Sequence, residues 1–388
     1  MKILMLFIDM LRPNRFGCYN NNLEDNSLDE LIRELGGTLY TNCFSPAPDT
    51  PRSMACFYSG LLPKDNGCDT RVKWPGKFMK DGIKTIFDPF IQNNYKMNFF
   101  TNPNERQGGL LPPGIEKTGI HNQNFNLSEF VNEISLAEDH FVFISIPDFH
   151  WAMQDWSYTR KGEREAISET RQSLNIIFDH FDKDDFDHIF LFSDHGFKFS
   201  AQLEKESIHE FVNRDRTNIF MFTRERGNIG ISYEDKICSI QDVIHTVNEI
   251  FGLESEYSLI NNCKRDYVVI EDHFDISSPK VNQNLDIWAV VTKSEMYVRT
   301  LNDSVLIKNG QFYHNSLSKK YDAILETETQ FGRYSNEHKK VFAYHQLILA
   351  QTNHMNGNLR NGEKRYQRFL IWIERLKDRL TLNTGNGL

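Results

Sequence analysis

The sequence lacks the long apolar runs that mark a membrane span. No stretch of its 388 residues approaches the roughly 18–20 apolar residues that a bilayer requires, so we expect no transmembrane segment. The apolar start that ends at Asp9 is too short for the apolar core of a signal peptide. The six cysteines are scattered without a CxxC pair, which is typical of reduced thiols. We therefore expect a cytoplasmic protein.

The chain also lacks an excess of basic residues. It carries 44 Lys and Arg against 53 Asp and Glu, a formal net charge of −9. Proteins that bind nucleic acid usually carry a basic stripe, so we expect no nucleic-acid partner. A nucleotide-binding doubly wound domain lacks support as well, because no GxGxxG or P-loop sequence appears. A local pocket for a small anion, lined by cations or a metal, is compatible with this charge.

Short apolar runs alternate with amphipathic stretches through the first two thirds of the chain. The runs predict strands over 2–8, 96–100, 141–146, 188–192 and 217–222, and the amphipathic stretches predict helices over 27–35, 85–94, 128–134, 163–181 and 240–251. Apolar strands separated by helices are typical of a parallel sheet covered on both faces. We therefore predict an α/β fold with a mainly parallel central sheet flanked by helices.

The pattern changes at about Tyr267. Residues 286–291, 295–300 and 304–307 predict a small antiparallel meander, and helices are expected over roughly 336–353 and 362–382. We therefore expect a catalytic α/β domain over 1–263 and a smaller α+β subdomain over 264–388. The last helix has an apolar face between basic residues, which leaves a membrane-surface role open, although packing on the domain or on a partner subunit is the commoner outcome.

Acids and histidines follow three of the predicted strands. Asp9 ends the first strand, Asp148 and His150 follow the third, and Asp194 and His195 follow the fourth. In open α/β sheets, functional residues gather beyond the carboxyl ends of the strands. Carboxylate and neutral imidazole together suit Mn²⁺ or Zn²⁺ better than Mg²⁺ or Ca²⁺. The sequence therefore predicts a divalent metal site at this edge.

A hydroxyl also stands at a predicted helix start. Thr50 followed by Pro51 is a favourable N-cap and first-turn pair. Free amides and the helix dipole favour an anion at that position. Such a threonine can bind a metal through oxygen, lose its proton and attack phosphorus or sulfur. A purely structural N-cap explains the same residue, and both interpretations stay open.

Several motifs occur together in a characteristic order. They are Phe7-Ile8-Asp9-Met10-Leu11-Arg12 leading to Gly17-Cys18-Tyr19, the spacing from Thr50 to Gly60, Ser193-Asp194-His195-Gly196, and the strand and helix pattern over 216–243. In this order and spacing, the sequence resembles the sulfatase-like branch of the alkaline phosphatase superfamily over about residues 2–255, with a threonine at the nucleophile position.

The resemblance implies a ligand set and a reaction. Carried over by position, Asp9, Thr50, Asp194 and His195 would hold the metal, and Thr50 would also be the nucleophile. The chain would then be a metal-dependent hydrolase or transferase of phosphate mono- or diesters, forming a covalent Thr50 intermediate that is released to water or to another alcohol. Its partner would be a small anionic ester, with a glycan or a lipid-linked component as candidates.

Three features depart from the family pattern. No cysteine stands in a C-x-P-x-R context, so a formylglycine sulfatase is not expected, and Met10 replaces a second acid that relatives often carry. Pro51 directly follows Thr50, which leaves Asp49 and Ser53 open as the critical position. Two alternative functions follow: a sulfuric ester hydrolase with an unmodified threonine, and a non-catalytic binding protein on a degenerate scaffold.

The remaining candidates would contact substrate. Asp148 and His150 alternate along a segment read as extended, which would place both on one side as substrate contacts or a leaving-group acid. Arg52, Lys198 and His209 are candidate anion contacts, and a solvated surface role is the competing interpretation for each. The sequence leaves the oligomeric state open, including a homo-oligomer.

Overall fold

A computed structural model describes residues 1–68, 79–101, 126–199, 212–261, 265–273, 286–300, 304–329 and 331. The two terminal helices predicted over 336–353 and 362–382, and the candidate His209, lie outside the described residues.

The described chain alternates strands and helices. The strands are β1 (Lys2–Ile8), β2 (Gly37–Phe44), β3 (Lys96–Phe100), β4 (His140–Ile146), β5 (His188–Phe192), β6 (Met221–Glu225), β7 (Ile231–Ser239), β8 (Val268–His273), β9 (Asp286–Val291), β10 (Glu295–Arg299), β11 (Ser304–Lys308) and β12 (Gln311–His314). The α-helices are α1 (Ser27–Leu35), α2 (Thr50–Ser59), α3 (Pro63–Asn66), α4 (Asp88–Gln92), α5 (Leu127–Asn132), α6 (Asp148–Asp155), α7 (Arg160–His180), α8 (Arg214–Thr217), α9 (Asp242–Ile250) and α10 (Lys319–Glu328).

Seven strands form the central sheet, in the order β3-β4-β1-β5-β6-β2-β7. All neighbours are parallel except β6, which runs antiparallel to both β5 and β2. Because β6 reverses direction between them, β2 and β5 end at the same edge of the sheet. The predicted α/β architecture with a mainly parallel sheet is confirmed.

β1 lies at the centre because it is apolar on both faces. Leu4 and Leu6 face one apolar core, and Met5 and Phe7 face the other, on the opposite side of the sheet. A strand that buries both faces reads as a continuous apolar run, which is what the sequence shows. β1 therefore delivers Asp9 to the middle of the carboxyl edge, between the ends of β4 and β5.

Aromatic packing fixes α2 on the sheet. The ring of Phe57 stacks on that of Phe192, with centroids 4.5 Å apart. Phe192 in turn stacks on Phe7 at 5.7 Å. Since these three rings come from α2, β5 and β1, the packing holds the helix that begins at Thr50 against the two strands that carry the acids.

A second sheet has the order β12-β11-β10-β9-β8 and is antiparallel throughout. α10 packs on it, with Tyr321 stacked on Tyr297 and Leu325 in the same apolar cluster. β8 also touches the loop before α2, because the amide of Glu271 donates to the carbonyl of Pro46 at 2.8 Å. The predicted antiparallel meander is confirmed, while the domain boundary at residue 263 stays a prediction.

The strand predicted over 217–222 is wrong in position. Residues Arg214–Thr217 form a helical turn capped by Asn213, and β6 begins only at Met221. β2, β7, β8, β12 and α10 were not predicted. Among the described residues, no helix is both long enough and apolar enough to cross a bilayer.

Candidate metal centre and active site

Three predicted ligands converge at the carboxyl edge of the central sheet. Asp9, Asp194 and His195 each offer an atom within 4.8 Å of the others. Nε2 of His195 lies 3.5 Å from Oδ2 of Asp194 and 3.8 Å from Oδ1 of Asp9. The side chains come from the ends of β1 and β5, which are neighbours in the sheet. The residues are thus brought together by the parallel pairing of two buried strands.

The carboxylates are buried and incompletely satisfied. Asp194 is fully buried and Asp9 is 9% exposed. Oδ1 of Asp9 and Oδ2 of Asp194 have no hydrogen-bond partner among the described residues. A buried carboxylate oxygen without a donor is costly, so such atoms call for a cation. The residues present therefore fit a divalent metal ion.

The acids differ in their pKa because their surroundings differ. Burial raises the pKa of Asp194 to about 6; nearby His195 acts in the opposite direction, and the Asp9 carboxylate reinforces the rise. Burial acts on Asp9 in the same way, but His150 and His195 outweigh it and hold the pKa of Asp9 below its ordinary value. A bound cation would favour the charged form of both acids.

The orientation of His195 suits a metal ligand. Its Nδ1 lies 2.8 Å from the carbonyl oxygen of Gly196. Because a carbonyl only accepts, the proton of the neutral ring is on Nδ1 and the lone pair of Nε2 faces the two acids. A backbone carbonyl that fixes the tautomer in this way is a common support for a histidine ligand.

Backbone amides hold Asp194. Its Oδ1 accepts from the amides of Met10 at 3.1 Å and His195 at 2.8 Å. Met10 adopts a left-handed conformation with φ of 69°, which is unusual for a residue other than glycine. Its side chain packs in the apolar core. Position 10, where the sequence resemblance implies a second acid, therefore aims a backbone amide, and not a side chain, at the centre.

Thr50 faces the same centre from α2. Its Oγ1 lies 3.4 Å from Nε2 of His195. The predicted N-cap role is wrong: Asp49 is the N-cap, with its side chain accepting from the amide of Arg52, and Thr50 is the first helical residue. The hydroxyl is therefore not used as a cap.

The two alternative positions for the nucleophile are engaged elsewhere. Asp49 caps the helix and forms an ion pair with Arg52. Ser53 is fully buried, and its hydroxyl donates to the carbonyl of Asp194 at 2.8 Å. The geometry thus leaves Thr50 as the hydroxyl beside the acids.

His150 joins the cluster, whereas Asp148 does not. Nδ1 of His150 lies 2.5 Å from Oδ2 of Asp9. Asp148 instead accepts from Ser173 on α7 at 3.2 Å. The segment is the start of helix α6 and not extended, so residues two apart diverge around the helix.

Sequence reasoning missed Gln154, whose amide nitrogen lies 2.6 Å from Nε2 of His150. An amide nitrogen only donates, so Nε2 accepts and Nδ1–H donates to Asp9. His150 and Gln154 are four residues apart, a spacing at which side chains are neighbours on a helix. This pairing was missed because the segment was predicted to be extended.

The predicted anion contacts occupy different surroundings. Arg52 is fully buried and pairs with Asp49 and with Asp272 of β8. Lys198 is also buried, three residues beyond His195. Asp272 was missed because β8 was not predicted, although the acid follows an apolar run much as Asp9 does.

Comparison with known proteins finds similar structures but no similar sequences. No family model and no curated protein sequence matches the chain. Among solved structures, it is similar to a phosphonate monoester hydrolase of Agrobacterium radiobacter, with a TM-score of 0.58 and 13% identity over 89% of this chain and 96% of that one. It is also similar to a 2-O GAG sulfatase, with a TM-score of 0.54 and 13% identity over 92% of both chains.

A third similar structure holds a sugar substrate. It is described as a complex with its substrate D-glucosamine-2-N,6-O-disulfate, and it aligns with a TM-score of 0.54 and 12% identity over 92% of this chain and 96% of that one. At such low identity the likeness concerns architecture. The chain shares the fold of these sulfatase and phosphonate monoester hydrolase structures.

Proposed function

We propose that the protein is a divalent-metal-dependent hydrolase or transferase of anionic esters, with phosphate esters as the leading substrate class and Thr50 as the nucleophile. One observation carries the proposal: the Thr50 hydroxyl lies 3.4 Å from a histidine whose lone pair faces two buried, incompletely satisfied acids. Buried acids of this kind, set beside a hydroxyl at a helix N-terminus, are typical of a catalytic centre.

The residues that would hold the metal are Asp9, Asp194 and His195, with Thr50 at its side. When bound, a divalent cation supplies positive charge that eases deprotonation of a hydroxyl and polarises an ester oxygen. Mn²⁺ and Zn²⁺ fit this mixed oxygen and nitrogen donor set better than Mg²⁺ or Ca²⁺.

Thr50 then acts as the attacking group. Its oxygen forms a bond to phosphorus while the bond to the leaving alcohol breaks, which leaves a Thr50 ester. The positive end of the α2 dipole favours the negative charge that develops there. Water or a second alcohol attacks the same phosphorus and restores the threonine hydroxyl. Which acceptor is used decides between hydrolase and transferase.

His150 is the proposed substrate contact; to act as the leaving-group acid it would first take up a proton on Nε2 and exchange its hydrogen bond from Gln154 for one to the departing oxygen. Its side chain is 23% exposed, and Asp9 holds it through Nδ1. It is therefore fixed at the rim of the centre, where a departing alcohol could reach it. Lys198 and His209 stay candidate anion contacts, and Asp148 stays a candidate substrate contact.

Sulfate ester hydrolysis by an unmodified Thr50 is the second candidate. The observation that favours it is the likeness to a 2-O GAG sulfatase and to a protein that binds a disulfated glucosamine. A sugar ester is accordingly one candidate substrate for this chain.

The test compares four aryl esters: a phosphate monoester, a phosphate diester, a phosphonate monoester and a sulfate, each with Mn²⁺, Zn²⁺, Mg²⁺ or Ca²⁺. We expect phosphorus esters to be turned over faster than the sulfate. Thr50→Val should lower kcat by at least about a thousandfold, because the nucleophile is lost at nearly constant volume. Thr50→Ser should keep part of the activity.

Thr38→Val is the matched control, since that hydroxyl contacts Ser232 on β7 and not the centre. It should retain wild-type kcat. Intact mass analysis after rapid quenching should find the transferred group on Thr50. Full activity in Thr50→Val would refute the nucleophile, faster sulfate turnover would select the second candidate, and metal binding without any turnover would select the non-catalytic alternative.

A further inference from the structure

Asp272 joins the second sheet to the catalytic loops. It lies on β8 and is 6% exposed. Its Oδ1 accepts from Nη2 of Arg52 at 2.9 Å, and its Oδ2 lies 3.6 Å from Nη1 of Arg216. One acid of the second sheet thus pairs with two arginines, one on α2 and one on α8.

The first arginine acts on the start of α2. Arg52 is fully buried, and its Nε donates to Oδ2 of Asp49 at 2.6 Å. Burial lowers the pKa of Arg52, but Asp49 and Asp272 outweigh it and hold the pKa above its ordinary value, so the side chain is a cation. Because Asp49 is the N-cap, Asp272 restrains the turn that presents Thr50.

The second arginine acts on two loops at once. Nη2 of Arg216 donates to the carbonyl of Pro48 at 3.3 Å. The backbone carbonyl of Arg216 accepts from the amide of Gly196 at 2.8 Å. Arg216 therefore touches the segment that leads to Thr50 and the segment that follows His195.

Thr50 and His195 are 145 residues apart in the chain, yet their side chains meet at 3.4 Å. We propose that Asp272 is a positioning residue that sets this meeting by holding Arg52 and Arg216, and that Arg52 is a positioning residue and not a substrate contact. The proposal rests on the proposed role of Thr50. It makes the second sheet a component of the active site.

The expected effect is on kcat. A displacement of about 1 Å at a reacting group can cost about a hundredfold in rate. Asp272→Asn keeps the shape of the side chain and removes its charge, so it weakens the hold on both arginines. The metal ligands and the substrate pocket keep their side chains. We expect kcat to fall by about tenfold to a hundredfold, with KM within about twofold of wild type.

Asp322→Asn is the matched control. Asp322 also pairs with an arginine of the second sheet, Arg299, and accepts from Tyr297, without touching the catalytic loops. It should leave kcat unchanged. Asp272→Glu, which restores the charge, should recover part of the lost kcat. If Asp272→Asn does not fold, Arg216→Gln tests the same link, since that side chain is 21% exposed.

Hydrogen exchange provides a readout that needs no activity. We expect faster exchange in Asp272→Asn for peptides covering 46–54 and 193–198, and unchanged exchange there in Asp322→Asn. If the wild-type protein turns over no ester, the proposed function fails. The positioning role of Asp272 is then tested by hydrogen exchange alone. If wild type is active and Asp272→Asn matches it in kcat and in exchange, the positioning fails alone. Equal losses in Asp272→Asn and Asp322→Asn would also overturn it.

Discussion

The two carboxylate oxygens of Asp194 have different surroundings. Its Oδ1 accepts from two backbone amides, whereas its buried Oδ2 has no hydrogen-bond partner among the described residues and lies 3.5 Å from Nε2 of His195. The satisfied oxygen fixes the side chain, and the unsatisfied oxygen is available to the proposed cation. A purely structural aspartate would satisfy both oxygens, because an unmet buried acceptor costs about 1–3 kcal/mol.

Asp194→Asn should separate metal binding from folding. Asn keeps the oxygen that accepts from the two amides and replaces the second oxygen with a neutral amide group that can donate to Asp9. We expect Mn²⁺ affinity to fall by at least about a hundredfold. We also expect the metal-free protein to unfold at an equal or higher temperature, because burial of the second charge is removed.

Titration calorimetry and thermal melts in a chelator measure these two quantities. A variant that binds Mn²⁺ like wild type would refute the ligand assignment. A variant that loses metal and also melts much earlier would assign Asp194 a structural role.

Individual residues were predicted from the sequence where their strands were apolar. Asp9, Asp194 and His195 follow runs that bury both faces, so their common edge could be deduced without a structure. His150 and Gln154 could not be paired, because an extended reading of their segment hid a helix. Arg52 could not be recognised as buried, since its partner Asp272 is 220 residues away.

Among the elements, the turn after β5 is tightly constrained by a neighbouring backbone. A Cβ on Gly196 would lie 2.1 Å from the carbonyl oxygen of Asp215, a backbone atom that cannot move away cheaply. Glycine at this position therefore permits close packing between the His195 turn and the short helix α8. Glycine is required here because there is no room for a Cβ, and the sequence motif alone does not reveal this.

Gly196→Ala should damage the metal centre, and Gly60→Ala should not. Both substitutions meet a neighbour. A Cβ on Gly60, which follows the C-terminal end of α2 at φ 69°, would lie 2.7 Å from Cγ2 of Ile244 on α9. We expect each to lower the free energy of unfolding by about 1–3 kcal/mol. Gly196→Ala alone should weaken Mn²⁺ binding, because it shifts the turn that carries His195.

Denaturant unfolding and metal titration of both variants check this prediction. Wild-type Mn²⁺ affinity in a folded Gly196→Ala protein would contradict it, as would equal losses of affinity in the two variants.

The elements were predicted unevenly, for a physical reason. β1, β4 and β5 were located from their apolar runs, because strands buried on both faces have nearly unbroken hydrophobicity. β7 has an exposed first half, and β12 is exposed throughout, so neither carries an apolar signal. β6 was misplaced because the apolar run that precedes it begins in a helical turn.

At the scale of the whole molecule, metal and fold should be coupled. The proposed ligands come from two strand ends and a helix that are far apart in sequence, so the unfolded chain offers no comparable site. At a free concentration about 100 times Kd, a ligand that binds only the folded state adds about 2.7 kcal/mol to the free energy of unfolding.

We therefore expect the melting temperature to rise with added Mn²⁺ or Zn²⁺ and to fall with a chelator, as measured by differential scanning fluorimetry. Asp194→Asn should show no such dependence, which separates the specific site from general ion effects. A wild-type midpoint that is insensitive to every metal would contradict the coupling.

The reactivity of the buried cysteines can be used to measure local unfolding of the elements that cover them. All five that the structure describes are buried: Cys18, Cys43, Cys56, Cys68 and Cys238. Cys56 lies on α2, and burial raises the pKa of its thiol well above the ordinary value, so it is shielded and unreactive in the closed molecule. Alkylation of Cys56 therefore requires α2 to leave the sheet. The rate of alkylation then measures how often the helix that begins at Thr50 detaches.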